Sequence, residues 1–308
     1  MTSEPASPLS LPPGPLVTAA WLADHLHHPD LRVVDIRGKV LPPSAPPPRY
    51  VAKRNEYDEG HVDGAVFVDW TTDIVDADDP VPAQIARPDG FRRCMERLGI
   101  GDDTRVVVYD DYSHMFAGRL HWALRYYGHD AVRILEGGVH AWKAAGFALT
   151  TEAPKPPSSA RTFTPRARPG LRRTADEVAA AVARGALLID ARGVPQFTGE
   201  VSAARRKGHI PTARNVPYPT LLTGAEGAFK PAGELRDAFA AAGVDVDALS
   251  ASSDASASAR EVIVYCNGGV SATVPMTALA LLGVTNVALY DGSWNEWGND
   301  DTRPLETA

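Results

Sequence analysis

The chain has 308 residues, 44% of them hydrophobic and 22% charged, and a formal net charge of −7. That length suits two domains of about 150 residues, and the acidic balance, with no basic helix or aromatic-rich basic stripe, argues against nucleic acid as a partner. Cys94 and Cys266 are the only cysteines, too few for a disulfide framework. The opening residues lack the basic and apolar regions of a signal peptide, and no window nears the roughly 18 apolar residues of a membrane span. The expectation is a soluble cytoplasmic protein with no membrane partner.

In chain order, Val33-Val34-Asp35-Ile36-Arg37 reads as a first buried strand. The proline-rich stretch 42–48 follows, expected as an exposed extended loop without chemistry, and 76–82 reads as another surface loop. Arg105-Val106-Val107-Val108-Tyr109 is a second strand, leading through Asp110 and Asp111 to a helical stretch at 119–127. Residues 154–169 hold five prolines and read as an interdomain linker. A helical stretch at 174–184 precedes the strand Leu188-Ile189-Asp190-Ala191-Arg192, and the basic triplet Arg205-Arg206-Lys207 stands just before Gly208-His209. Residues 250–258 are a low-complexity loop, expected to be mobile. Then come a strand at 261–265, a short loop, and a helix at 272–282 stopped by Gly283.

The second half repeats the first. Val33-Val-Asp-Ile-Arg37 matches Leu188-Ile-Asp-Ala-Arg192, Gly60-His61 matches Gly208-His209, Arg105–Tyr109 matches 261–265, and Glu136-Gly-Gly-Val-His-Ala-Trp142 matches Asp291-Gly-Ser-Trp-Asn-Glu-Trp297, at offsets of 155, 148, 156 and 155 residues. Such a period marks a duplicated domain and not a small-repeat solenoid. Short apolar strands alternating with helices predict an α/β fold, each half a parallel sheet with helices on both faces. The domains are placed at 14–150 and 171–304, with 151–170 between them. His61 and His209, in equivalent places of the repeat, read as structural turn residues.

The halves differ where the central strand ends. In the second half, Cys266 is followed by Asn267, Gly268, Gly269, Val270 and Ser271 before a helix begins. A loop that short with two glycines must turn tightly, and can aim backbone N–H groups at an anion. An ordinary cysteine of pKa about 8.5 is only roughly 3% thiolate at pH 7. A helix dipole supplies about 0.3–1 kcal/mol, so a useful nucleophile here requires the loop amides as well. In the first half Asp110 stands in the place of Cys266, with no thiol there.

Cys266-Asn-Gly-Gly-Val-Ser271 resembles the active-site loop of the rhodanese-type sulfurtransferases, and Asp291-Gly-Ser-Trp-Asn-Glu-Trp297 resembles the segment that closes their catalytic domain. The resemblance implies tandem rhodanese-like domains, the first catalytically silent and walling off a cleft over Cys266. It implies a two-step cycle: Cys266 takes the sulfane sulfur of a small anionic donor, then passes it to a thiol, cyanide or a sulfur-accepting protein. No metal or cofactor is expected.

Thiosulfate is the favoured donor on this resemblance and 3-mercaptopyruvate the alternative. Thiosulfate-preferring members commonly carry Arg and Lys after the cysteine, and mercaptopyruvate-preferring members Gly and Ser, the hydroxyl assisting proton transfer. This chain has Asn267 and Gly268. The family's Gly-Arg-[Phe/Tyr] arginine is also missing, its place held by Pro195-Gln196-Phe197. The substrate-binding candidates are therefore Arg192, with Asp190 supporting it, and Arg205 and Arg206. A phosphatase is disfavoured because Ala272 stands where its phosphate-gripping arginine belongs. A non-enzymatic persulfide carrier or interaction module is the remaining alternative.

Overall fold

The computed structural model describes residues 9–42, 44–46, 48–156, 160–223, 227–251 and 261–307; most of the low-complexity loop at 250–258 lies outside them. Two five-stranded parallel sheets carry the chain. In the first, the spatial order is Leu16–Val17, Val132–Leu135, Arg105–Tyr109, Leu31–Asp35 and Val66–Phe67. In the second it is Arg172–Arg173, Val287–Tyr290, Val262–Tyr265, Leu187–Asp190 and Arg214–Asn215. The orders correspond strand for strand, so the duplication read from the sequence is a duplication of topology. Every residue of Val262–Tyr265 is buried, as expected of a central parallel strand covered on both faces. Helix Ala175–Ala183 illustrates how local sequence sets the boundaries. Thr174 accepts from the Glu177 N–H while the Glu177 carboxylate accepts from the Thr174 N–H, a reciprocal cap at its start.

The two halves pack through equivalent helices, Met115–Tyr126 and Thr273–Leu281, each following its own central strand. Gly118 is what lets them approach: a Cβ there would lie 2.5 Å from Thr273 Oγ1. That hydroxyl donates across the boundary to the Met115 carbonyl at 3.1 Å. Beside it, the Arg119 guanidinium pairs with Asp291 at 2.6 Å, both side chains 2% exposed or less. Asp291 also takes Arg172 at 3.1 Å and the Ile85 N–H at 3.1 Å, and Arg119 reaches the Ala83 carbonyl at 2.7 Å. Taking one partner from such a buried pair costs about 3–5 kcal/mol, because the other charge is left stranded. A single apolar cluster runs through both halves at this boundary. Cys94 belongs to it, and burial pushes its thiol up to about 12, so it is a packing residue.

The proline-rich stretch is an exposed loop at its described residues, as expected, and it joins two short antiparallel strands, Gly38–Val40 and Tyr50–Ala52. Trp70 pins this hairpin, its Nε1 donating to the Val51 carbonyl at 3.0 Å and its ring packing on Tyr50 and Phe116. The two histidines are structural, as expected. His61 Nδ1 meets the Tyr57 carbonyl at 2.9 Å, and His209 Nδ1 meets the Phe197 carbonyl at 2.8 Å with its ring stacked on Phe197. Among the described residues no helix is long and apolar enough to cross a membrane.

Candidate active site

Cys266 follows directly on the central strand of the second sheet, at the carboxyl edge where parallel α/β sheets place their ligands. It is 2% exposed and lies on a cavity of about 170 Å³. Asn267, Gly268, Val270 and Ser271 line the same cavity, so four of the five predicted loop residues face it. Gly269 does not. It takes a left-handed φ of +70°, and a Cβ there would come within 2.9 Å of both Arg119 Nη1 and the Asp291 carbonyl oxygen. The first half supplies the opposite wall through Val40, Leu41, Pro42, Tyr50, Tyr112 and Met115. The first half thus walls one side of the cavity over Cys266.

The loop amides divide into two sets. Those of Cys266 and Gly269 donate to Ser293 Oγ at 3.1 Å each, and this hydroxyl in turn donates to the Tyr290 carbonyl at 2.8 Å. Ser293 is fully buried and holds a left-handed φ of 52°. Its equivalent in the first half is Gly138, at φ 56°. Among the described residues, the N–H groups of Asn267, Gly268, Val270, Ser271 and Ala272 have no acceptor.

The first half shows what this loop does with an anion. The Asp110 carboxylate accepts from the N–H groups of Tyr112, Phe116 and Ala117 at 3.2, 2.9 and 3.0 Å. The positions matching Tyr112 and Phe116 are Gly268 and Ala272, whose N–H groups are free. The first half thus holds a carboxyl group of its own where the second leaves room for a ligand. Burial pushes the Asp110 carboxyl up to about 7 in spite of these bonds.

Arg192 reaches the cavity and is 2% exposed. Asp190 grips it as expected, with Nε to Oδ1 at 3.0 Å and Nη2 to Oδ2 at 2.6 Å, and Nη2 also reaches the Gly208 carbonyl at 2.9 Å. Burial works against the guanidinium charge, but Asp190 outweighs it and raises the pKa. Among the described residues, Nη1 is buried with no hydrogen-bond partner. A guanidinium held on one side with an unspent N–H on the other is a ready anion grip.

Arg205 and Arg206 are not part of this cavity. Arg205 donates to the Asn299 carbonyl at 2.5 Å and pairs with Asp301 at 3.2 Å, while Arg206 binds the carbonyls of Asp300 and Arg303 at the surface. Arg205 and Arg206 secure the C-terminal segment after the helix Ser293–Trp297, while Lys207 donates to the Glu200 carbonyl at 3.2 Å. Among the described residues no group of three or more His, Cys, Asp or Glu is placed to hold a metal.

The rhodanese-like domain model matches this chain twice, at residues 18–145 and 174–300. The chain belongs to the rhodanese family of sulfurtransferases. It is 36% identical over 295 residues to 3-mercaptopyruvate sulfurtransferase of Escherichia coli, a match covering 94% of this chain and 97% of that protein. A Haloferax volcanii protein named, provisionally, a thiosulfate sulfurtransferase is 32% identical, covering 94% of this chain and 96% of its own. Among solved structures, that of Escherichia coli SseA, described as a 3-mercaptopyruvate sulfotransferase of rhodanese fold, superposes with a TM-score of 0.76 at 35% identity, covering 91% of this chain and 99% of that one.

Sequence reasoning missed three residues that build the rhodanese site here. Ser293 lay inside a quoted motif without a role, and its burial behind the loop was not visible. Arg119, in the first half, donates to the Gly269 carbonyl at 3.3 Å. Tyr50 comes from the hairpin, which carries no recognisable signal.

Proposed function

We propose that this chain transfers sulfur from a small anionic donor through a persulfide on Cys266, with 3-mercaptopyruvate preferred over thiosulfate. The observation that carries the reading is that Cys266 and Arg192 line one cavity of about 170 Å³. That volume is below the roughly 300–1,000 Å³ of sites for drug-sized ligands, so the donor is small. Cys266 thiolate attacks the donor's outer sulfur, the bond from that sulfur to the rest of the donor breaks, and the electron pair leaves with the departing anion. The free amides of the loop then face the persulfide anion, as their counterparts face the Asp110 carboxylate.

The donor preference departs from the thiosulfate expectation on a count of charge. Among the described residues, Arg192 is the only cationic side chain lining the cavity; Gln196, Asn267 and the phenols of Tyr50, Tyr112 and Tyr218 are neutral. Thiosulfate arrives and sulfite leaves as dianions, for which one N–H and no lysine is a poor match. One carboxylate with an adjacent keto oxygen suits a single guanidinium edge and neutral hydroxyl donors. Thiosulfate stands as the second reading because it is the donor in the name of the Haloferax relative. A passive persulfide carrier would load but not turn over.

Incubation with 3-mercaptopyruvate should add about 32 Da, one sulfur atom, to the wild type and nothing to Cys266→Ser. An equal adduct on the serine variant refutes the reading. Steady-state turnover with each donor and cyanide then ranks the donors and separates enzyme from carrier.

A further inference from the structure

Gly268 has no backbone reason to be glycine: its φ lies outside the left-handed region. What it lacks is room. A Cβ at this position would lie 2.9 Å from the Tyr50 hydroxyl oxygen, 3.0 Å from Asn295 Nδ2 and 3.6 Å from Ala83 Cβ. The space a side chain at residue 268 would enter is thus occupied by a phenolic hydroxyl delivered from the other half of the protein. Tyr50 lines the Cys266 cavity, and its ring is fixed against Trp70 at 5.2 Å between centroids.

The hydrogen bonding gives that hydroxyl a direction. Asn295 Nδ2 donates to Tyr50 Oη at 2.9 Å, and the Asn295 N–H is tied to the Asn267 carbonyl at 2.8 Å. The oxygen therefore accepts one bond, and among the described residues nothing accepts its proton. Burial, and to a smaller extent the neighbouring Cys266, push the phenol above its ordinary value, so it keeps its proton at neutral pH.

We infer that Tyr50 is a catalytic residue of the sulfur-abstraction step, its hydroxyl taking the part that a hydroxyl side chain at residue 268 would otherwise play by protonating the departing carbon of a thiol donor. The inference rests on the donor reading above. With 3-mercaptopyruvate the Cys266 thiolate forms a bond to the donor sulfur, the carbon–sulfur bond breaks, and the electron pair remains on carbon as the pyruvate enolate. Tyr50 gives its proton to the enolate, yielding pyruvate. The phenolate recovers a proton from the new persulfide, Cys266–S–SH, which is left as Cys266–S–S⁻ facing the free loop amides. The donor's own thiol proton has in effect moved to carbon, and no oxidant or other reactant is consumed. Thiosulfate needs no such transfer, because sulfite leaves with its electron pair unprotonated.

The test is a four-variant cycle with both donors: wild type, Tyr50→Phe, Gly268→Ser and the double variant. Tyr50→Phe should lower the ratio of kcat for 3-mercaptopyruvate to kcat for thiosulfate by roughly 100-fold, the lower end of general-acid contributions. Gly268→Ser alone should lower turnover, since its Cβ meets the phenol. The double variant, with the phenol oxygen gone and a hydroxyl restored at residue 268, should recover at least tenfold of the lost ratio over Tyr50→Phe. A tyrosine that merely fastens the halves together would lower both donors alike and show no rescue, and either result overturns the inference. A wild type that turns over thiosulfate alone also overturns it while leaving sulfur transfer intact. A wild type that forms no persulfide with either donor removes the functional reading itself.

Discussion

Ser293 offers the most direct measure of how the loop is held. Replacing it with alanine removes the oxygen that satisfies the N–H groups of Cys266 and Gly269. A buried donor left without a partner costs about 1–3 kcal/mol, so the pair places the loss at about 2–6 kcal/mol. The left-handed backbone at φ 52° stays, because alanine tolerates it no better than serine. Glycine loses the same oxygen but relieves about 1–2 kcal/mol of left-handed cost. It also adds about 0.5–1 kcal/mol of chain entropy to be lost on folding. The net advantage of glycine over alanine is thus about 0.5–1 kcal/mol, or about 2 °C in Tm for a domain of this size. The order should be wild type, then Ser293→Gly, then Ser293→Ala. The Trp294 and Asn295 N–H groups still bind the carbonyls of Cys266 and Asn267 in each variant, so the segment keeps its place. Calorimetry gives the Tm values, and alkylation of Cys266 by iodoacetamide at pH 7 reports whether the loop still supports a thiolate. Ser293→Ala unfolding at the wild-type temperature with unchanged alkylation would refute the reasoning.

Three further outcomes are expected. Arg192→Lys keeps the charge but loses the fork, and should raise KM for 3-mercaptopyruvate about tenfold or more, given about 1.5–3 kcal/mol for a charged hydrogen bond. Arg205→Ala with Arg206→Ala should leave that KM unchanged, and steady-state kinetics that reversed this order would return the basic triplet to the site. Asp110 should make stability depend on pH. Its folded value of about 7 lies above the ordinary carboxyl value of 3.8, so the folded state binds the proton more tightly. That contribution is full below about pH 4 and is lost as pH rises through 7. Urea unfolding of wild type relative to Asp110→Asn, whose amide oxygen still accepts from Phe116 and Ala117, should show the difference in stability falling between pH 5 and 8; a flat difference would contradict it.

The sequence by itself determined the parts of this protein that are local in the chain. The paired strands, the four echoing motifs, the glycine loop after Cys266 and the Asp190–Arg192 pair all follow from hydrophobic period, turn chemistry and spacing. The structure repeats the same strand order in both halves. Only the tertiary structure decided what meets at the cavity. Arg192 and the basic triplet looked alike as cationic candidates, yet Arg192 lines the Cys266 cavity while Arg205 and Arg206 are spent on carbonyls away from it. Tyr50 lies 245 residues from Asn295, its partner in the site. No period or motif encodes that meeting, because it depends on how two separately wound sheets dock through Gly118, Thr273 and a buried Arg119–Asp291 pair. Residues near in sequence share a geometry set by backbone sterics and hydrogen bonding. Residues that meet across a domain boundary do so only because the packed surfaces leave them no other arrangement.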